Sequence, residues 1–275
     1  MQDLMEQFRN ARAAVQRQSP LIHSITSPIA INDCANAVLA LGAKPIMAEH
    51  PSEVAKIAQM ADALTVSLAN ITDARAQSIL IAGREKAGVI DLVGINCSDL
   101  RMNLARTFIR ECHPAVIKGN ASEIRAIAGA DFDARGIDVG KNDAVTQSNP
   151  DSLSRMAKIM KPYAARTGAV ILASGEVDLI AAPDGQTLYA VQNGTSALSK
   201  VTGTGCMLTC ITGVYLSVSD PLTASLLAAV TLGIAGEITD DSHGLGTYHI
   251  GLIDSLSLMD DKLLAKRMKL SLLPV

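Results

Sequence analysis

The feature of this sequence that most constrains its fold is a regular alternation between short apolar segments and longer segments with helical periodicity. Strand-like apolar segments at 21–26, 63–68 and 115–118 are each followed by a stretch with apolar residues at helical spacing. Thr72-Asp73, ahead of one such stretch, is a typical helix start. Strands that alternate with helices favour a mainly parallel central sheet covered by helices on both faces. We therefore predict an α/β fold, formed as a single domain over residues 1–275.

Some segments depart from this alternation. Pro183-Asp184-Gly185 separates the apolar segments 177–182 and 187–192, which predicts an antiparallel hairpin. Residues 130–150 are rich in Asp, Gly and Asn, as is typical of a loop insertion. Residues 250–269 have helical periodicity and predict one final helix.

The composition excludes several classes of protein. The chain has 24 Lys and Arg residues against 27 Asp and Glu and only 3 % aromatic residues, so we expect no nucleic-acid surface. The longest apolar stretches, 207–218 and 222–236, are short for a membrane span and are interpreted as buried helices. Residues 1–17 lack the apolar core of a signal peptide, and the five cysteines form no C-x-x-C pair. We expect a cytoplasmic protein with reduced thiols that binds neither nucleic acid nor membrane.

A glycine-containing loop, Gly203-Thr204-Gly205-Cys206, leads directly into an apolar, helix-compatible stretch. Its glycines permit positive φ, so backbone N–H groups of Gly203, Thr204 and Gly205 can converge on an anion at the positive end of a helix. Phosphate is the anion that we expect there. Cys206 falls in the first turn, where the same field favours a lowered thiol pKa. A plain tight turn with a buried cysteine is the alternative interpretation.

Charged and hydroxyl side chains stand where other predicted strands end. Asp91, Lys118 and Ser174 occupy such ends, and Glu123 lies in the first turn of a predicted helix. Phosphoryl transfer needs a phosphate cradle, carboxylates for Mg²⁺ and a cation that faces the transferred group. Each residue alone also has a structural interpretation, since a carboxylate such as Glu123 stabilises a helix N-terminus. Their joint presence beside the glycine loop favours phosphoryl transfer.

With these motifs the sequence resembles the hydroxyethylthiazole kinase family, whose members have a ribokinase-like fold and salvage the thiazole half of thiamine. The resemblance covers most of the chain, in order. It is carried by the segments Pro20-Leu21-Ile22-His23, Pro45-Ile46-Met47, Lys118-Gly119-Asn120-Ala121-Ser122-Glu123-Ile124, Gly136-Ile137-Asp138, Gly175-Glu176-Val177-Asp178, Lys200-Val201-Thr202-Gly203-Thr204-Gly205-Cys206 and Gly244-Leu245-Gly246-Thr247-Tyr248.

The resemblance implies an ATP- and Mg²⁺-dependent kinase that phosphorylates the hydroxyl of hydroxyethylthiazole. By the same resemblance, the substrate-binding residues are Met47 and Gly203, the ATP-binding residues are Lys118 and Ser174, and the metal ligands are Asp91 and Glu123. It also implies a homotrimer with active sites between subunits.

Cys206 stands where many ribokinase-like relatives have an aspartate base, and its role is the least determined by the resemblance. A thiolate base requires a lowered pKa, for which the helix N-terminus is the visible cause. Alternatively, the loop N–H groups stabilise the transition state while Cys206 positions the hydroxyl.

The sequence also departs from the family pattern around the expected site. Residues 91–97 lack the proline and the second glycine of the family's D-P-V-G-x-G-A, Lys118 replaces an arginine, and the strand ends carry Ser27 and Asn70 where the family differs. These departures imply altered nucleotide handling, a changed substrate or weakened activity. Two alternatives therefore stand beside the thiazole kinase, namely a ribokinase-like kinase for another small alcohol and a non-catalytic thiazole- or nucleotide-binding protein.

Overall fold

A computed structural model describes residues 2–133, 138–140, 143–146 and 149–273. Within this part of the chain, a nine-stranded sheet has the order β2-β1-β3-β4-β5-β6-β7-β8-β9. Strands β1 to β6 pair in parallel, and β7, β8 and β9 extend the sheet in antiparallel pairs. The strands are β1 Leu21–Ile25, β2 Lys44–Ile46, β3 Ala63–Ser67, β4 Val89–Asp91, β5 Val116–Asn120, β6 Val170–Ser174, β7 Asp178–Ala181, β8 Leu188–Val191 and β9 Leu270–Leu272.

The helices begin and end where local sequence signals favour it. The Thr72 and Ser98 side chains cap helices by accepting hydrogen bonds from the backbone N–H groups of Arg75 and Arg101. The α-helices are α1 Gln2–Gln18, α2 Ile31–Ala40, α3 Val54–Met60, α4 Asp73–Glu85, α5 Asp99–Cys112, α6 Ala121–Ala128, α7 Pro150–Thr167, α8 Thr204–Leu216, α9 Pro221–Ile238, α10 Leu245–Ser257 and α11 Asp261–Arg267. Short 3-10 helices lie at Ile95–Cys97 and Leu198–Lys200.

Two apolar cores lie on opposite faces of the sheet. One contains residues of α1, α2, α8, α9, α10 and α11, and the other contains residues of α3 to α7. Neighbouring strand residues alternate between them: Val116 belongs to the first core and Ile117 to the second. The prediction of a mainly parallel sheet with helices on both faces is confirmed.

The predicted hairpin is also confirmed, since Leu179 of β7 pairs antiparallel with Ala190 of β8. The predicted loop at 130–150 lies only partly within the described residues, and Gly136 and Ile137 lie outside them.

The prediction of one helix over 250–269 is wrong. Asp260 interrupts it, because its Oδ1 accepts a hydrogen bond from the Leu263 N–H at 2.6 Å and starts α11. The chain then forms β9, which pairs with β8. The apolar periodicity continues through α10 and α11, so the sequence pattern alone does not indicate the break at Asp260.

The stretch 222–236 is buried as predicted, and its helix, α9, spans Pro221–Ile238. Helix α9 has 18 residues and, among the described helices, is long and apolar enough to cross a membrane. Its most apolar window is 78 % buried within the protein, which is typical of a core helix.

Candidate active site

A row of polar side chains crosses the carboxyl ends of the central strands on the face covered by α8. Asp91 of β4 pairs in register with Lys118 of β5, and Asn120 of β5 pairs with Ser174 of β6. Because side chains alternate along a strand, Asp91 and Lys118 point to the same side as Val89 and Val116, which belong to the core beneath α8. The register therefore brings together residues that are up to 83 positions apart (174 − 91) in the sequence.

Helix α8 begins beside this row. Gly203, with φ of 88°, is the residue before its first turn, and a Cβ atom there would lie 3.3 Å from the Cβ of Ala30. The positive φ and the close contact both favour glycine. Thr204 opens the helix, and its Oγ1 donates to the Leu198 carbonyl at 3.0 Å. The predicted junction of a glycine loop with a helix N-terminus is thus present. The positive end of the α8 dipole lies beside the strand ends, and no side chain in the described part of the protein caps it.

The polar row and the helix meet at Lys118. Its Nζ donates to Asp91 Oδ2 and to the Gly205 carbonyl, both at 3.0 Å, and the side chain is buried. A Cβ on Gly205 would lie only 3.2 Å from this Nζ, so the second glycine of the loop makes room for the cation. Burial alone would lower the pKa of Lys118, but the charge of Asp91 and its hydrogen bond to Nζ raise it.

Asp91 has one paired and one unpaired oxygen. Its Oδ2 accepts from Lys118 and from Thr209 Oγ1 at 2.9 Å, whereas Oδ1 is buried with no hydrogen-bond partner among the described residues. Such an oxygen is costly unless a ligand, water or cation contacts it. Thr209 was not predicted from the sequence, although it follows Gly205 by one helical turn and so shares its side of α8.

Glu123 differs from Asp91 because both of its carboxylate oxygens have hydrogen-bond partners. It forms a capping box with Asn120, and its two oxygens accept from the backbone N–H groups of Gly94 and Asn120, each at 2.7 Å. Burial and the nearby charge of Asp91 raise the pKa of Glu123. The carboxylate therefore ties the segment after Asp91 to the start of α6. Within the altered 91–97 segment, Gly94 donates this hydrogen bond to Glu123 and adopts a positive φ of 71°.

The prediction that Cys206 has a lowered pKa is wrong. Burial, together with the Asp91 charge, raises the pKa of the Cys206 thiol to about 11 against the opposing effect of Lys118. The helix N-terminus does not outweigh these effects. Cys206 is thus a partly buried neutral thiol beside the Asp91–Lys118 pair.

Met47 lies just beyond β2, at the same edge of the sheet. The main chain that follows it is fixed, because His23 Nε2 lies 2.8 Å from the Ala48 carbonyl and Ser78 Oγ donates to the Glu49 carbonyl at 2.8 Å. Burial lowers the pKa of His23, which favours its neutral form. Met47 is half-buried and packs against the core beneath α8.

The two altered strand ends contact each other. Ser27 Oγ donates to Asn70 Oδ1 at 2.8 Å, and Asn70 adopts a positive φ of 51°. The departures at these positions thus form one joint feature next to Thr26, whose hydroxyl lies 3.8 Å from the Cys34 thiol.

A cleft of about 640 Å³ opens beside the polar row. Ser174, Thr204 and Gly205 line one part of it, and apolar side chains line another. Those apolar residues are Val139, Leu198, Leu208, Ala229 and Leu232. A cleft of this size with a polar and an apolar part suits a ligand as large as a nucleotide. Its apolar part was not predicted, because it combines residues from separate elements.

Comparison with known proteins agrees with this architecture. A model of the "Hydroxyethylthiazole kinase family" matches residues 13–262. The chain belongs to this family. It is 46 % identical to "Hydroxyethylthiazole kinase 2" of Clostridium botulinum strain 657 over 265 residues, which cover 94 % of this chain and 98 % of the relative. It is 33 % identical to "Hydroxyethylthiazole kinase 1" of Methanosphaera stadtmanae, covering 97 % of this chain and 98 % of the relative.

Solved structures support the same fold. The hydroxyethylthiazole kinase protein of Pyrococcus horikoshii OT3 matches with a TM-score of 0.85 and 28 % identity, with 100 % of both chains covered. The Staphylococcus aureus pyridoxal kinase in complex with ADP matches with a TM-score of 0.58 and 16 % identity, over 79 % of this chain and 88 % of that one. The predicted ribokinase-like fold and the predicted family are thus confirmed, and the chain is a kinase by family.

Proposed function

We propose that this protein transfers the γ-phosphoryl group of ATP to the hydroxyl of 4-methyl-5-(2-hydroxyethyl)thiazole, in the salvage of the thiazole half of thiamine. The observation that carries the proposal is the cluster of Asp91, Lys118 and Gly205 at the N-terminus of α8, directly beside the 640 Å³ cleft. Family membership supplies the acceptor.

The cleft is the proposed ATP site. Ser174 at the end of β6 and the N–H groups of Thr204 and Gly205 line its polar part, where phosphates are favoured by the dipole of α8. Leu198 and Leu232 line the apolar part, which suits a flat base. In this arrangement the terminal phosphate lies near Gly203, Thr204 and Gly205. Lys118, whose Nζ contacts the Gly205 carbonyl, supplies positive charge beside this loop.

Mg²⁺ is the proposed metal, with Asp91 and Glu123 as its protein groups. The chemistry fits, because the buried Asp91 Oδ1 has no partner among the described residues and Mg²⁺ prefers carboxylate oxygen. No group of three or more His, Cys, Asp and Glu side chains gathers within the described chain, which agrees with a cation held mainly by one or two carboxylates and by phosphates. Both Glu123 oxygens already accept backbone N–H groups, so Asp91 is the better direct ligand. When bound, the metal neutralises phosphate charge.

Cys206 acts in this proposal as a neutral thiol that positions the acceptor hydroxyl. Its raised pKa argues against a thiolate base. Phosphoryl transfer has a loose transition state in which little proton abstraction is needed, so positive charge from Lys118 and the α8 N–H groups supplies most of the stabilisation.

The acceptor side comprises Met47 and Gly203 in this proposal, and the active sites lie between the subunits of a cytoplasmic homotrimer. Exposed apolar side chains on the neighbouring α2 and α10 side of the protein support association: Ile29 precedes α2, Ile250 lies on α10, and they are 68 % and 69 % exposed. Light scattering of the purified protein tests the trimer.

The test of the function is ADP release with ATP, Mg²⁺ and hydroxyethylthiazole, run beside a panel of other small alcohols. Turnover that depends on the thiazole supports the proposal. Turnover only with another alcohol shows a kinase for a different acceptor, and ATP binding without any turnover shows a non-catalytic protein.

A further inference from the structure

One wall of the cleft is formed by a short segment that follows α6. Asp138 and Val139 of this segment line the cleft, as does Leu198. Val139 is 37 % exposed, as expected of an apolar side chain that faces an open cleft. No regular helix or strand holds residues 138–140 in place. Something else must therefore fix the position of this wall.

The fixing contacts come from a buried carboxylate, Asp143. Its Oδ2 accepts from Ser122 Oγ at 2.6 Å and from the Asp133 N–H at 2.7 Å, and its Oδ1 lies 3.1 Å from Arg125 Nε. Asp143 is only 5 % exposed. A buried carboxylate is stable only when it is paired and hydrogen-bonded, so these contacts hold Asp143 firmly against α6.

Ser122 extends this network to the cleft wall. While its Oγ donates to Asp143, it accepts a hydrogen bond from the Gly140 N–H at 2.9 Å. Gly140 directly follows Val139 in the chain, so the wall is tied to α6 by its next residue. Ser122 itself lies in the first turn of α6, between Asn120 and Glu123 of the site. The network thus connects the wall to the same helix start that borders the polar row.

Neither Ser122 nor Asp143 lines the cleft, so their effect on a nucleotide is indirect. We propose that Ser122 and Asp143 are positioning residues that hold the 138–140 wall in the orientation that binds the nucleoside triphosphate. This inference rests on the proposed function, because it assigns the cleft to ATP.

The experiment compares wild type with Ser122→Ala, Asp143→Asn and the double variant. Each single variant is expected to raise the KM for ATP, and the Kd for ATP by calorimetry, about tenfold, as when one hydrogen bond that fixes a site is lost. The KM for the acceptor is expected to change less than about twofold. Because the residues act through one network, the double variant should resemble the single variants rather than multiply their effects.

Asp260→Ala serves as the stability control, since it removes the cap of α11 without touching the cleft. If Ser122→Ala lowers Tm as this control does but leaves the KM and Kd for ATP unchanged, the residues are only structural and the inference is overturned. Ser122→Ala leaves the Arg125–Asp143 pair in place, so it keeps the test valid if Asp143→Asn does not fold. Wild type that fails to bind ATP would instead overturn the proposed function together with this inference.

Discussion

The pH dependence of catalysis separates the two roles open to Cys206. With a thiol pKa of about 11, only about one molecule in 3,000 carries a thiolate at pH 7.5. A mechanism that required this thiolate would run on that small fraction, and kcat would rise about tenfold for each pH unit up to the pKa. A neutral thiol that only positions the hydroxyl predicts no such rise.

We therefore expect kcat to stay within about threefold between pH 7.5 and 9.5, with no slope from Cys206. Cys206→Ser should keep most of the activity, because it retains a small polar group at the same place. Cys206→Ala should lose about tenfold or less, the range expected for a misplaced hydroxyl rather than a missing base.

The assay is steady-state ADP release at saturating ATP and acceptor, with Tm measured for every variant and pH. A log-linear rise of kcat that is present in wild type and absent in Cys206→Ala would refute the reasoning. The raised pKa would then not apply to the complex in which the reaction occurs.

Other expectations follow from the same contacts. Lys118→Met leaves the buried Asp91 carboxylate without its cation, so turnover should fall at least about 100-fold and unfolding free energy by about 3–5 kcal/mol, measured by kinetics and urea titration. Lys118→Arg, whose loss of turnover should be smaller, is its matched control. Gly205→Ala places a methyl group 3.2 Å from Lys118 Nζ, so kcat should fall several-fold with little change in Tm; unchanged kcat would show that the cation moves freely. Burial raises the pKa of Asp178 to about 7, above its unfolded value, so the folded state binds more protons and stability is lost as pH rises from about 4 to 7. Asp178→Asn should therefore unfold at a higher temperature than wild type at pH 8 and lose that advantage towards pH 4; equal Tm values at pH 8 would contradict this.

The strand ends were predictable from the sequence because they follow local rules. Asp91 and Ser174 each close an apolar run, and parallel strands bring such ends to one edge of a sheet. The glycine loop before α8 was predictable for the same reason, since glycine and helix periodicity are both local signals.

The properties that arise from distant contacts were not predictable. The thiol pKa of Cys206 depends on burial and on Asp91, which is 115 positions away (206 − 91). An argument from the helix dipole considers only α8, so it predicts a pKa shift of Cys206 in the wrong direction. The apolar part of the cleft could not be predicted for the same reason, because Leu198 and Leu232 come together only when α9 packs beside the loop.

The separation of the two apolar cores has a consequence for how this protein tolerates change. The polar row points to the face beneath α8, whereas the part of the second core around α3, α4 and α5 packs against the opposite face of the sheet. Substitutions that preserve volume in that rear core can accumulate without moving a reacting group. A library for thermal stabilisation is therefore best confined to residues such as Ile79 of α4 and Phe108 of α5, which leaves α6, with Ser122 and Glu123, undisturbed.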